Sequence, residues 1–228
     1  MSMFCFQCQE TAKGTGCEVR GVCGKTEQVA KLQDLLIHSL KGLALVIRTA
    51  GLDAVGLPEA NHETLKSLFM TITNANFDEA AIEAQIRKVI TLRDGLKARS
   101  GVACTHDAAN FAVADRASMI EKAASVGVLA TPNEDVRSLR ELVVYGLKGM
   151  AAYTHHALNI GSENPAIPAF MYEALAAVTD DTLTADQLVA LVLKTGEYGV
   201  SAMALLDGAN TSRYGNPEIT QVPIGVRG

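Results

Sequence analysis

From residue 27 onward, apolar residues recur at three- and four-residue spacing, the period of an amphipathic helix. Val29, Leu32, Leu35, Leu36, Leu40, Leu43, Ala44 and Ile47 share one face of a helix over residues 27–50, with Thr26 as N-cap and Gly51 at the C-terminal stop. The Gly56-Leu57-Pro58 loop leads to a short helix over 62–73, capped by Asn61. Asp78 opens a helix to residue 98 through Ile82, Ile86, Val89 and Ile90, which Ser100 and Gly101 end. Residues 102–110 carry no clear period. Helices follow over 112–125, over 134–159 behind an Asn133 cap, over 169–178 after a two-proline loop, and over 185–206. Residues 210–220 are rich in turn formers, and the apolar run at 222–226 resembles the entry to a strand without a partner.

One pattern recurs. Leu32, Leu35, Leu40, Lys41, Gly42 and Ala44 return 107 residues later as Leu139, Leu142, Leu147, Lys148, Gly149 and Ala151. Each long helix then precedes a loop, a short helix and a longer helix. The expected fold is all-α, two three-helix bundles with an N-terminal cysteine-rich loop. The expected divisions are residues 1–25 for the loop, 26–101 and 133–211 for the bundles, 102–132 for their connection, and 212–228 for the start of a following domain.

Composition narrows the function. With 48% apolar and 20% charged residues, the chain reads as globular and soluble, and no uninterrupted apolar run approaches the roughly 18 residues of a membrane span. A net charge of −5, no basic run and no tryptophan argue against nucleic acid and anionic membrane as partners. A cysteine loop begins at Cys5 where a signal peptide would stand, so a cytoplasmic location is expected, in which clustered thiols serve as metal ligands more often than disulfides.

Four of the five cysteines, Cys5, Cys8, Cys17 and Cys23, fall in the first two dozen residues as C-x2-C-x8-C-x5-C, among Gly14, Gly16, Gly21 and Gly24. Structural zinc sites bring two close cysteine pairs, and here only Cys5 and Cys8 form one. Unequal spacing suits an iron–sulfur cluster, which the chain must wrap, and glycines let backbone N–H groups turn toward sulfur. The helix after Cys23 would present its positive end. Spacing alone favours iron–sulfur over zinc, and zinc over disulfides.

The segments F-C-F-Q-C-Q-E-T-A (Phe4 to Ala12) and G-C-E-V-R-G-V-C-G-K-T (Gly16 to Thr26) resemble the start of the hybrid cluster proteins, also called prismane proteins or hydroxylamine reductases. The resemblance continues through L-Q-D-L-L-I (Leu32 to Ile37) and G-N-P-E-I-T (Gly215 to Thr220). It implies a 4Fe–4S cluster held by Cys5, Cys8, Cys17 and Cys23, electrons received from a donor protein, and delivery to a hybrid iron–sulfur–oxygen cluster that reduces hydroxylamine or nitric oxide. In that family the hybrid cluster sits in Rossmann-like domains of a longer chain. No residue of the present chain matches its ligands, so the resemblance implies a helical region that works with the remaining domains and has no catalytic residue of its own. A self-sufficient electron carrier and a zinc-stapled interaction module are the alternatives.

Other candidates read as structural. Cys104 and His106 form a C-x-H pair best taken as a buried cysteine and its neighbour. His155 and His156 are adjacent and point about 100° apart on a helix. His38 could approach the cysteine loop. Lys41 and Lys148 read as solvated, as do Glu10 and Glu18, and the leucine stripes as core.

Overall fold

The computed structural model describes residues 3–73, 75–221 and 225. Among these it is all-α, with helices α1 (Glu27–Thr49), α2 (Pro58–Met70), α3 (Glu79–Ser100), α4 (Arg116–Val126), α5 (Glu134–Asn159), α6 (Ala166–Ala177) and α7 (Ala185–Tyr214). A lone antiparallel bridge joins Cys5 to Cys17. The strand entry expected over 222–226 lies outside the described residues except Gly225.

The caps follow from the sequence. Thr26, Asp78 and Asn133 accept hydrogen bonds from backbone N–H groups two or three residues on, which satisfies donors the first helical turn leaves open. Gly51, Gly101 and Gly161 hold positive φ behind α1, α3 and α5. Three boundaries differ by four residues or more, while α2 ends at Met70 and α6 begins at Ala166, each three residues early. α2 begins at Pro58, whose fixed φ and missing N–H suit the first helical position, and Asn61 lies inside the helix, donating to Ala54 O (2.7 Å). α4 starts at Arg116 because Asp115 and Ser118 form a reciprocal capping box there. α7 runs through Gly208 to Tyr214 and stops at Gly215, φ 79°. The cost of one interior glycine, about 1 kcal/mol, is too small to end so long a helix.

The repeat is carried by whole elements. α1, α2 and α3 begin at Glu27, Pro58 and Glu79; α5, α6 and α7 begin at Glu134, Ala166 and Ala185, each within a residue of the 107-residue offset. The packing repeats too: α3 lies along α1 as α7 lies along α5. The halves also interlock, since α6 packs on α1 and α2 packs on α5, a reciprocal exchange that makes one continuous hydrophobic core. Leu32, Leu35, Leu43, Leu68, Ile82, Leu147, Met171 and Leu175 are wholly buried in it. The apolar stretch of α7 meets the length and composition of a membrane-crossing helix, and 22% of it is buried within the protein. It packs along α5, and Lys194 within it pairs with Glu173 of α6 at 2.6 Å.

Between the halves, residues 102–132 wrap α1. Arg93, 1% exposed, donates from Nη1 to Ala108 O (2.9 Å) and from Nη2 to Phe111 O (2.7 Å), which pins the segment down. The Ala108 carbonyl lies against Gly42, where a Cβ would stand 1.9 Å from the oxygen.

Candidate functional site

The cysteine loop folds back on itself. Cys5 and Cys17 exchange both backbone hydrogen bonds, Cys5 N to Cys17 O at 3.0 Å and Cys17 N to Cys5 O at 2.8 Å, so their side chains leave the same face of the bridge about 5 Å apart. Met3 N continues the pairing to Glu18 O (3.1 Å). Cys8 sits at a turn closed by Thr11 N to Cys8 O (3.2 Å), and Cys23 is exposed in a turn closed by Gly24 N to Gly21 O (2.9 Å). Gly24 takes φ 92°, which a side chain would resist. The bridge thus brings Cys5 and Cys17 together, with Cys8 and Cys23 on flanking turns. Among the described residues, no three His, Cys, Asp or Glu side chains close on one point as a single metal ion requires.

The surroundings of the thiols favour anionic sulfur. Cys17, 5% exposed, receives the Ala12 N–H at 3.4 Å, and the Thr11 hydroxyl lies 3.7 Å from its Sγ. Burial pushes this thiol up, but the N–H groups of Ala12 and Val22, the Thr11 hydroxyl and the Lys25 ammonium outweigh it and hold it below its ordinary value. Lys25 is buried, with Nζ 3.8 Å from Cys5 Sγ and 2.7 Å from Gln33 Oε1 on α1. Gln33 in turn donates to Asn76 O at 3.1 Å, which ties loop, α1 and the α2–α3 turn together. A Cβ at Gly21 would crowd Cys23 Sγ at 3.1 Å. N–H donors and an ammonium around the paired Cys5 and Cys17 sulfurs, with close glycine backbone at Cys23, are the surroundings that an anionic iron–sulfur centre needs, so the donor chemistry of these residues fits such a group.

Beneath the loop lies a cavity of about 40 Å³ between α1 and α5, room for on the order of one to three waters. Phe4, Cys5, Phe6 and Gln7 close it on one side and Val126 and Val128 on another. Asp34 and Lys41 face it from α1, Glu141 and Lys148 from α5. Here the structure corrects the expectation that Lys41 and Lys148 are solvated: Lys148 is 6% exposed and Lys41 is partly buried. Burial lowers Lys148 to about 8, against the pull of Glu141 and Asp34, and lowers Lys41 as well. Burial, aided by Glu141, pushes the Asp34 carboxyl up to about 7 although Lys148, Lys25 and Lys41 oppose it. With its amide oriented to satisfy both atoms, Gln7 of the loop accepts from Lys148 Nζ (3.3 Å) and donates to Thr71 O (3.3 Å).

The remaining candidates lie elsewhere. His38 turns from the cysteine loop to Asp107, Nε2 to Oδ2 2.8 Å, and Lys122 completes the group at 2.7 Å from Asp107 Oδ1. His106 Nδ1 accepts the Ala108 N–H at 3.1 Å as a local cap, and the Cys104 carbonyl accepts from Asn110 Nδ2 at 2.8 Å. His155 and His156 pack on Phe69. Glu10 and Glu18 are exposed. Sequence reasoning missed Lys25, Gln33, Asp34 and Glu141. A signal for the last two was present, because an acid stands seven residues before the repeated lysine in both copies.

The sequence matches the Prismane/CO dehydrogenase family over residues 3–228. The whole chain is 63% identical over 227 residues to a hydroxylamine reductase of Acetivibrio thermocellus, of which it covers 42%. It is 58% identical to one of Desulfitobacterium hafniense and 54% identical to one of Clostridium perfringens, covering 42% and 43% of them. The chain therefore spans less than half the length of these curated relatives. A thiol-rich loop with anion-stabilising donors, set on a duplicated helical scaffold and matched from end to end, places the chain in the Prismane/CO dehydrogenase family.

Proposed function

We propose that this chain is an iron–sulfur redox region in which Cys5, Cys8, Cys17 and Cys23 hold a 4Fe–4S cluster. The observation that carries the reading is the paired Cys5–Cys17 bridge with N–H and ammonium donors aimed at its sulfurs. When bound, such a cluster supplies one-electron storage. The chain's own residues do the rest. The bridge fixes two thiolates, Ala12 N–H and Thr11 stabilise Cys17, and Lys25 offsets charge at Cys5 while Gln33 orients it. Electrons come from a donor protein in the cytoplasm and pass to the rest of a longer polypeptide, in which hydroxylamine is reduced as the names of the relatives state. In this reading Cys104 is no ligand, and the chain alone is reduced and oxidised without turning over hydroxylamine.

Anaerobic reconstitution of the chain with iron and sulfide tests this. Expected are a visible absorption band, acid-labile sulfide and about four irons per chain. Cys17→Ser abolishes the band and Cys104→Ser keeps it. Zinc bound in place of iron, or a band that survives Cys17→Ser and disappears in Cys104→Ser, overturns the assignment. Hydroxylamine consumption by the loaded chain with reduced viologen, lost in Cys23→Ser, would place a substrate site here.

A further inference from the structure

The acid–lysine group under the cysteine loop has no part in the reading above. Asp34 and Lys41 on α1 occupy the same repeat positions as Glu141 and Lys148 on α5, so the four groups form a quartet that the duplication relates to itself. Seven residues are two helical turns, which puts each acid and its lysine on one face of the helix, and both faces line one cavity. Among the described residues, no carboxylate of the quartet lies within 4.0 Å of a cationic nitrogen, so the charges face one another across a water-sized space without a direct ion pair.

The quartet also borders open grooves, Lys41 and Glu141 one of about 410 Å³ and Glu141 and Lys148 one of about 290 Å³. Toward the loop, Lys148 contacts Gln7, and Cys5 itself lines the cavity. Toward solvent, Asp34 also lines a groove of about 300 Å³ bounded by Lys31, Phe4 and the residues around Gly127. A Cβ at Gly127 would stand 2.9 Å from Asp34 Oδ2, so the glycine leaves this carboxylate open on that side. Asp34 is thus the carboxylate that borders both the inner cavity and the groove beside Gly127.

We propose that Asp34, with Lys41, Glu141 and Lys148 around it, forms a proton-binding site that fills when an electron enters the cysteine loop. The inference rests on the iron–sulfur reading of that loop. One electron arrives from a one-electron donor, one proton arrives from water through the groove, and a single O–H bond forms at the Asp34 carboxylate. Added negative charge at the loop is felt across a poorly screened interior and favours the neutral acid. The groups that face Asp34 are Glu141 and Lys148 of α5, Lys25 of the loop, and Lys41 of its own helix, with Lys31 in the groove and Arg140 acting on Lys41. The 126–128 wall contributes no titratable side chain. Burial already holds the carboxyl near neutrality, so a modest added charge changes its occupancy in the ordinary pH range.

The test is an equilibrium redox titration of the reconstituted whole chain on both sides of neutrality, read by visible absorption. The wild-type potential should fall toward about 59 mV for each tenfold drop in proton activity, the value for one proton per electron. In Asp34→Asn the slope around neutrality should be lost, leaving only the weaker dependence that Lys148, lowered to about 8, can supply. A pH-independent wild type, or an Asp34→Asn chain with the same slope, overturns the proposal. If Asp34→Asn does not fold, Glu141→Gln serves: removing that charge moves the pH-dependent window to lower pH, and an unmoved window overturns the proposal. Failure to assemble any cluster counts against the iron–sulfur reading instead. In that event NMR of the Asp34 carboxyl in the iron-free chain decides, with titration near neutrality supporting the proton site and titration in the usual carboxylate range overturning it.

Discussion

α1 and α5 occupy the same place in two copies of one three-helix unit, yet they live in different surroundings. Fifteen of 23 residues in α1 are buried but only nine of 26 in α5, so α1 is the enclosed helix and α5 a flanking one. The cysteine loop and the 102–132 segment lie on α1, and among the described residues nothing in the second half corresponds to either. What the copies keep is instructive. Gln33 ties the α2–α3 turn to α1 through Asn76 O, and Arg140, at the equivalent position, ties the α6–α7 turn to α5 through Asp180 O at 2.8 Å. The acid–lysine pairs are also kept. What diverges is the steric meaning of shared letters. Gly42 is held against the Ala108 carbonyl, whereas its counterpart Gly149 has no atom within 4 Å of where a Cβ would stand. In the second half the close approach moves to Gly146, where a Cβ would meet Thr195 Cγ2 at 2.6 Å, and the first half has Ser39 at that position, bonded to Leu35 O. Duplication preserved the frame and the polar ties, and each copy refitted its glycines to what packs on it.

Gly42→Ala strikes the enclosed helix hardest. A methyl cannot occupy space 1.9 Å from a carbonyl oxygen that Arg93 also holds, so the 102–110 segment must lift from α1. The expected cost is about 3 kcal/mol, at the upper end of overpacking penalties, read as a fall in the urea midpoint. An unchanged midpoint would mean that this segment moves freely on α1.

A second contrast lies within α1 itself and concerns pH. Burial lowers His38 to about 4, opposed by its hydrogen bond to Asp107. Between that value and 6.5 the unfolded chain binds more protons at this site, so its contribution to stability is lost as pH falls. Asp34 behaves oppositely. Raised from 3.8 to about 7, it binds more protons when folded, and its contribution is lost as pH rises through that window. The two partly cancel in the wild type. His38→Gln should expose the Asp34 trend, with stability declining toward neutrality, and Asp34→Asn should expose the His38 trend, with stability declining toward acid. Each slope is at most about 1.4 kcal/mol per pH unit, and chemical denaturation across that range measures both. Slopes of the same sign in the two variants would contradict the assigned environments.

Much of this was legible in the sequence, for identifiable reasons. The helices were, because Val29 through Ile47 and their counterparts follow a 3.6-residue period and Thr26, Asp78 and Asn133 are strong caps. The thiol loop was, because four cysteines in so few residues are rare. Boundaries failed where two local signals competed, as at Asn61 against Pro58. The buried charges were missed because a lysine on a helix is solvated unless another element covers it, and the covering elements, the cysteine loop and the partner helix of the repeat, come from distant sequence. The interlocking of the halves was hidden for the same reason: periodicity tells which face of α2 is apolar, but not that α5 rather than α1 meets most of it.

Gly149→Ala probes the same repeat position in the flanking helix. Gly149 lies in the interior of α5, away from any cap, and a methyl there touches nothing. Glycine in a helix interior costs up to about 1 kcal/mol relative to alanine, because the unfolded chain has more backbone freedom to lose. With no steric charge against it, Gly149→Ala should therefore stabilise the chain by up to that amount. The same substitution at the equivalent residue of the first copy, Gly42, costs severalfold more with the opposite sign. Both variants change the same letter at the same place in the repeat, so helix propensity contributes equally to each, and the difference between their denaturation midpoints isolates the packing of residues 102–110 on α1. If Gly149→Ala were as damaging as Gly42→Ala, the two copies would share a constraint at this turn, and the asymmetry between the enclosed helix and the flanking one would not hold.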